Sequence, residues 1–122
     1  MPYVYDDQNI FAKILRGEIP NDTVLETEHC LAFKDINPQA PVHILVIPKG
    51  PYVCFAHFAA EASDAELVDF NRTIGKVCRM AGVAEDGYRT ISNAGVNGLQ
   101  EVPHLHMHIL GGQVLGPLLA RT

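Results

Sequence analysis

Three of the six histidines in this chain fall in Pro103-His104-Leu105-His106-Met107-His108-Ile109-Leu110, where they alternate strictly with apolar residues. In a strand, successive side chains point to opposite faces and rise about 3.3 Å per residue. The spacing therefore predicts His104, His106 and His108 on one face, about 6.6 Å apart, with Leu105, Met107 and Ile109 turned to the core. A lone histidine is ordinarily a core or surface residue with its hydrogen bonds satisfied, and His29 and His57 are read that way. Three on one face point instead to a polar or anionic ligand. Two chemistries want such a row. Zinc takes neutral imidazoles at about 2.0 to 2.1 Å, and His104 and His106 with His108 or His43 would supply a ligand set. Phosphoryl or nucleotidyl transfer uses one imidazole as nucleophile and its neighbours as donors to phosphate oxygens.

The surrounding residues favour the second chemistry. Asn93, Gly95, Gly98 and Gln100 lie just upstream in a turn whose backbone N–H groups are placed to cradle an anion. Glu101 is the one local carboxylate for a zinc second shell. His43 lies inside the otherwise apolar run Val42 to Ile47, so its imidazole needs hydrogen-bond partners of its own.

The elements that position these residues are readable from pattern. Ile10, Phe11, Ile14 and Leu15 recur at helical spacing after Asn9, a plausible N-cap, and Gly17 is a ready stop, so residues 9 to 16 form a short helix. Thr23 to Glu26 and Cys30 to Phe33 are β-leaning runs joined as a hairpin. Asn37-Pro38-Gln39-Ala40-Pro41 is a stiffened loop. Val42 to Ile47, apolar and β-branched, is the strand at the sheet centre, covered on both faces. Ser63-Asp64-Ala65-Glu66 is a capping box that opens a long helix, with Leu67, Phe70, Ile74, Val77, Cys78 and Ala81 on one face and Gly82 at its end. Tyr88 to Asn93 and His104 to Leu110 are the last strands, and Gly116-Pro117 marks a turn in the tail. The order α-β-β-β-α-β-β predicts an α+β fold, a mostly antiparallel five-stranded sheet with one long and one short helix.

The 122 residues make one domain, 1–122, with 48% hydrophobic and 19% charged residues. That composition excludes disordered, collagen-like and disulfide-dense classes. A net charge of −5 without a basic run argues against binding extended nucleic acid. No apolar run reaches the length of a membrane span, and the first residues do not resemble a signal peptide. Cys30, Cys54 and Cys78 are odd in number and include no C-x-x-C pair, which reads as three reduced thiols in a cytoplasmic protein.

His104-Leu105-His106-Met107-His108-Ile109 resembles the signature of the histidine triad (HIT) family, His-φ-His-φ-His-φ with φ apolar. Phe11-Ala12-Lys13-Ile14 with Glu18-Ile19-Pro20 is similar to the family's N-terminal helix and turn, and Ala32 to Lys49 to its central segment. Asn93-Ala94-Gly95 and Gln100-Glu101-Val102 complete a resemblance from about residue 9 to 112, which leaves the tail 113–122 without a counterpart. The ending Leu110-Gly111-Gly112 looks like the Hint branch, the nucleoside phosphoramidate hydrolases.

The resemblance implies a homodimer that binds a purine nucleoside monophosphate or its conjugates and needs no metal or organic cofactor. It implies that His106 attacks the α-phosphorus to form a nucleotidyl-histidine intermediate, that His108 and His43 contact phosphate or complete the imidazole network, and that His104 orients the nucleophile. Asp35 matches the carboxylate that takes the ribose hydroxyls. Ile10, Phe11, Ile14, Ile19, Phe33 and Ile36 match the slot for the base, Asn93 a phosphate-side or ribose-side amide, and Gln100, Glu101 and Val102 the segment beside the phosphate. Two departures stand out: Glu101 where Hint-like members often carry serine, and Leu99 where glycine is common. They motivate a second reading, a nucleotide-binding scaffold dimer with vestigial catalysis. A dinucleoside polyphosphate hydrolase is a further alternative.

Overall fold

The computed structural model describes residues 3–119. Its elements are α1 (Ile10–Leu15), β1 (Thr23–Glu26), β2 (Cys30–Lys34), β3 (Val42–Pro48), α2 (Phe55–Glu61), α3 (Asp64–Met80), β4 (Tyr88–Ile91) and β5 (Met107–Gly111). The strands form one sheet in the order β1-β2-β3-β5-β4, every neighbouring pair antiparallel. The α+β architecture and the central position of β3 follow the sequence pattern.

Alternation along β2 and β3 sorts side chains into two cores. Cys30, Ala32, Ile44 and Val46 face α3 and pack with Phe58, Phe70, Val77 and Cys78. Leu31, Phe33, Leu45 and Ile47 face the other way and pack with Phe11 and Ile14 of α1. Each fully buried aliphatic or aromatic side chain contributes about 1.5–3 kcal/mol. With apolar residues on both sides, β3 cannot slip by one residue without moving His43 to the opposite face. Helix α3 starts as expected: Ser63 Oγ accepts from the Glu66 amide at 3.1 Å, and Glu66 accepts from the Ser63 amide at 3.0 Å. Asp69 ties α3 to the β1–β2 hairpin by accepting from Thr27 Oγ1 at 2.7 Å and from the His29 amide at 2.9 Å.

The structure departs from the sequence pattern in four places. The final strand begins at Met107, not His104, and runs to Gly111, because His104 makes a local bond from its amide to the Val102 carbonyl while Leu105 donates to Tyr52 across the chain. The strand expected over Tyr88 to Asn93 stops at Ile91. A second short helix, α2, precedes α3. Its two turns, FAHFAAE, are too short to show a helical stripe. In the tail, Gly116-Pro117 forms no turn: the carbonyls of Gly116 and Pro117 accept from Arg89, and the chain bends at residues 118–119. The three cysteines are buried and free. No helix among the described residues is long and apolar enough to cross a membrane.

Candidate active site

A cleft of about 450 Å³ opens where α1, the β2–β3 loop and the start of β5 meet. Helix α1 lines one wall with Ile10, Phe11 and Ile14, oriented by Asn9, whose Oδ1 accepts from the Ala12 amide at 2.9 Å. Phe33, Asp35 and Ile36 come from β2 and the loop after it, and Asn93, Glu101 and Val102 from the segment between β4 and β5. His43, His106 and His108 complete the cleft. A larger hollow of about 590 Å³ lies between Gly82, the start of β4 and Gln113 to Leu115, but it holds no histidine.

Sheet register brings two of the imidazoles together. Leu45 pairs with His108 and His43 with Leu110, so His43 and His108 are diagonal neighbours on one face. Their ring nitrogens meet at 2.9 Å, His43 Nε2 against His108 Nδ1. The direction of that bond is determined. The Gln39 amide donates to His43 Nδ1 at 3.0 Å, so the His43 proton lies on Nε2 and is given to His108 Nδ1. His108 then carries its own proton on Nε2. The same logic fixes His106. Its Nδ1 lies 2.7 Å from the His104 main-chain carbonyl, which can only accept, so Nδ1 holds the proton and Nε2 keeps a lone pair. Two adjacent rings, with centroids 5.0 Å apart, thus expose opposite functions, a nucleophilic nitrogen on His106 and an N–H donor on His108.

Burial keeps these rings neutral. It pushes His104 down to about 4 against its bond to Pro48, and it pushes His108 to about 4, helped by His106 and His43. His106 and His43 are also lowered by burial, with Asp35 pulling both partly back and Glu101 doing the same for His106. Phe11 stands edge-on to His106 at 4.9 Å between ring centroids and covers it from the α1 side.

His104 does not share the cleft face. It is fully buried beneath His106, with Nε2 on the Pro48 carbonyl at 2.8 Å and Nδ1 on the Tyr5 hydroxyl at 2.6 Å. The uniform row expected from alternation therefore holds for His106 and His108 only, because the chain becomes a strand after His106. Ile19 also lies off the cleft, packed against the α1-side core. Gln100 is a brace: Nε2 donates to the Val53 and Val102 carbonyls, and Oε1 accepts from Gly95. The expected anion cradle is partly closed, because the amides of Gly95, Leu99 and Gln100 are all used inside the turn. Asp35 combines two roles weighed from its type. Its Oδ1 accepts from the Asn37 amide at 2.8 Å, a turn-forming bond, while Oδ2 lies 3.4 Å from His43 Nε2 at the cleft wall.

Sequence reasoning missed Gln39, whose contribution is a backbone amide, and Tyr5, which lies before the recognisable motif. Leu99, noted as a departure, lines the cleft rim in a left-handed conformation with φ of 56°.

A metal would have to break this proton arrangement. His104 has both ring nitrogens engaged, so the set built on the histidine row is lost. Among the described residues, Asp35, His43 and His108 are the group whose ligand atoms converge, all within 4.8 Å of one another. For His43 Nε2 to bind a cation while Nδ1 still accepts the Gln39 N–H, the ring would have to shed both protons.

The sequence pattern described as the HIT domain matches residues 16–115. The chain is 58% identical over 121 residues to a 13.2 kDa HIT-like protein of Azospirillum brasilense, covering 99% of both chains. It is 46% identical over 114 residues to the purine nucleoside phosphoramidase of Escherichia coli K12, covering 93% of this chain and 95% of that one. A histidine triad protein from Clostridium difficile superposes with a TM-score of 0.81 at 39% identity, covering 95% of this chain and all of the other.

Proposed function

The chain belongs to the histidine triad family, and from that premise we propose that it is a purine nucleoside phosphoramidate hydrolase working through a nucleotidyl-histidine intermediate on His106. The observation that carries this reading is the pair of opposite ring functions facing one cleft, the His106 Nε2 lone pair beside the His108 Nε2–H. The similarity to a purine nucleoside phosphoramidase supports the substrate class.

In this reading the base enters between Ile10, Phe11, Ile14, Phe33 and Ile36, and Asp35 accepts from the ribose hydroxyls with the lone pairs left after its bond to Asn37. Asn93 donates on the ribose or phosphate side. His106 Nε2 attacks the α-phosphorus, the P–N bond breaks, and the leaving nitrogen departs as an amine with a proton from water. His108 donates a hydrogen bond to a phosphate oxygen as negative charge builds there. The hydroxide left by that proton transfer then attacks the same phosphorus, releasing the nucleoside monophosphate and returning His106 to its neutral form. Family membership also supports a homodimer, which sedimentation of the full chain tests.

Glu101 favours a second reading, nucleotide binding with vestigial turnover, because a carboxylate at the cleft opposes an incoming phosphate. One experiment separates the two: intact-protein mass spectrometry during turnover of an adenosine phosphoramidate, with wild type and His106→Ala. Hydrolysis and an adduct on the wild type alone support the hydrolase. Unchanged hydrolysis by His106→Ala refutes it, and AMP binding without turnover by the wild type selects the binding module.

A further inference from the structure

Tyr5 lies in the segment before α1, outside the cleft, yet it is one bond from the residue that holds His106. Its hydroxyl meets His104 Nδ1 at 2.6 Å and is itself met by Asn9 Nδ2 at 3.0 Å. The polarity of this chain is forced from its far end. The Pro48 carbonyl can only accept, so His104 carries its proton on Nε2 and a lone pair on Nδ1. The Tyr5 O–H therefore donates to His104, and the Tyr5 oxygen accepts from Asn9. Asn9 in turn caps α1 through its other side-chain atom, with Oδ1 on the Ala12 amide at 2.9 Å. One segment thus holds the apolar wall of the cleft and the imidazole beneath the nucleophile.

We propose that Tyr5 is a positioning residue for His106, locking the His104 ring so that the His104 carbonyl stays under His106 Nδ1 and keeps the His106 lone pair on Nε2, aimed into the cleft. The proposal rests on the reading of His106 as nucleophile and assigns Tyr5 no contact with substrate. Two features support it. His104 is fully buried, so no water replaces a lost Tyr5 hydroxyl at Nδ1. Burial holds the His104 ring neutral down to about 4, so Nδ1 remains an acceptor across the working pH range.

The test is nitrogen NMR of the full chain labelled at histidine, read together with steady-state kinetics on an adenosine phosphoramidate. In the wild type, His104 is expected as the Nε2–H tautomer and His106 as the Nδ1–H tautomer. In Tyr5→Phe, His106 is expected to average between its two tautomers and kcat to fall on the order of 10- to 100-fold through misorientation of the attacking atom. AMP affinity by calorimetry should be unchanged, which a general loss of structure would not produce. A Tyr5→Phe variant that keeps wild-type kcat and a fixed Nδ1–H His106 overturns the proposal alone. Wild-type His104 protonated on Nδ1 also overturns it, and that measurement needs no variant to fold. Full turnover by His106→Ala removes the nucleophile reading and the proposal with it.

Discussion

The Gln39 amide donates to Nδ1 of His43 at 3.0 Å, and this backbone contact decides where the proton sits on two imidazoles. His43 must carry its hydrogen on Nε2, and His108, accepting it at 2.9 Å, must carry its own on the nitrogen turned to the cleft. The loop Asn37-Pro38-Gln39-Ala40-Pro41 thereby has a chemical role beyond joining β2 to β3: its prolines restrict the backbone that places the Gln39 N–H.

Removing His43 should therefore disable His108. In His43→Phe the donor to His108 Nδ1 is gone, and His108 is free to present a lone pair to the cleft, where a phosphate oxygen needs a hydrogen. We expect kcat/KM to fall on the order of 100-fold, the scale of losing one oriented donor to the developing negative charge. Steady-state assays of the purified variant, with circular dichroism to check folding, measure this. Activity within about 2-fold of wild type would be too small a change for a donor of that kind.

The same proton assignment predicts indifference to chelators. His43 and His108 give no lone pair to a cation without breaking the relay from Gln39, so prolonged dialysis against EDTA should leave turnover unchanged. Elemental analysis of the dialysed protein should show far less than one zinc per chain. Loss of activity on dialysis, restored by zinc, would refute the assignment.

How far the sequence discloses all this depends on what kind of group carries each role. Alternation of histidine with apolar residues correctly marks Leu105 and Ile109 as core and places His106 and His108 on the other side. It fails for His104, because periodicity assumes that the strand has already begun, whereas the side-chain bonds to Pro48 and Tyr5 hold that residue in a bend. Helix α3 is legible because its capping box and closing Gly82 are both coded in residue type. Helix α2 is not, since two turns built from FAHFAAE have no repeat to detect. The Gln39 amide has no signal in residue type, because every residue except proline supplies one.

Acid should act on activity and stability through separate histidines. The His106 lone pair must be free for attack, and burial lowers this ring, so the acid limb of kcat/KM should lie below 6.5. For stability, His104 and His108 hold at about 4 in the folded chain against 6.5 when exposed. Between those values the unfolded chain binds protons that the folded chain does not. Stability is therefore complete only well above 6.5 and declines as pH falls through 6.5 toward 4. Burial alone would raise Glu66 and Asp69, but hydrogen bonds from Ser63 and Tyr52 and from Thr27 and His29 hold both low, so their own losses begin only below about 4.5 and 3.8. Urea midpoints should fall in the order pH 7.5, 6.5 and 5, slightly over the first step, where the unfolded histidines are half protonated, and clearly over the second. A flat profile down to pH 5 would contradict neutral burial of these rings.

Glu101 lines the cleft and is exposed, so its charge meets an incoming phosphate through solvent. Exposed charges interact by about 0.2–1 kcal/mol. Glu101→Ser should then tighten AMP by about 1.4- to 5-fold at low salt, and the gain should shrink at high salt as screening shortens the reach of the charge. Calorimetry at two ionic strengths reads both effects. Weaker AMP binding in the variant would mean that the carboxylate assists the nucleotide, for instance by supporting positive charge on His106.

Leu99 is the one described non-glycine residue with positive φ, at 56°, and its side chain is 80% exposed. A left-handed conformation costs an L-residue roughly 1–2 kcal/mol, and so little buried surface returns almost none of that. The turn around it is closed by bonds from Leu99 N to Val96 and from Gln100 N to Gly95, so the conformation is imposed by the loop and not chosen by the leucine. Glycine would relieve the strain but add about 0.4–1 kcal/mol of freedom to the unfolded chain. Leu99→Gly should therefore stabilise the protein by about 0–1.6 kcal/mol, a thermal midpoint equal or higher by a few degrees on calorimetry. A clear loss of stability would instead mean that the leucine side chain is held by contacts outside this single chain, and comparison of wild type with Leu99→Gly by sedimentation would then show whether self-association supplies them.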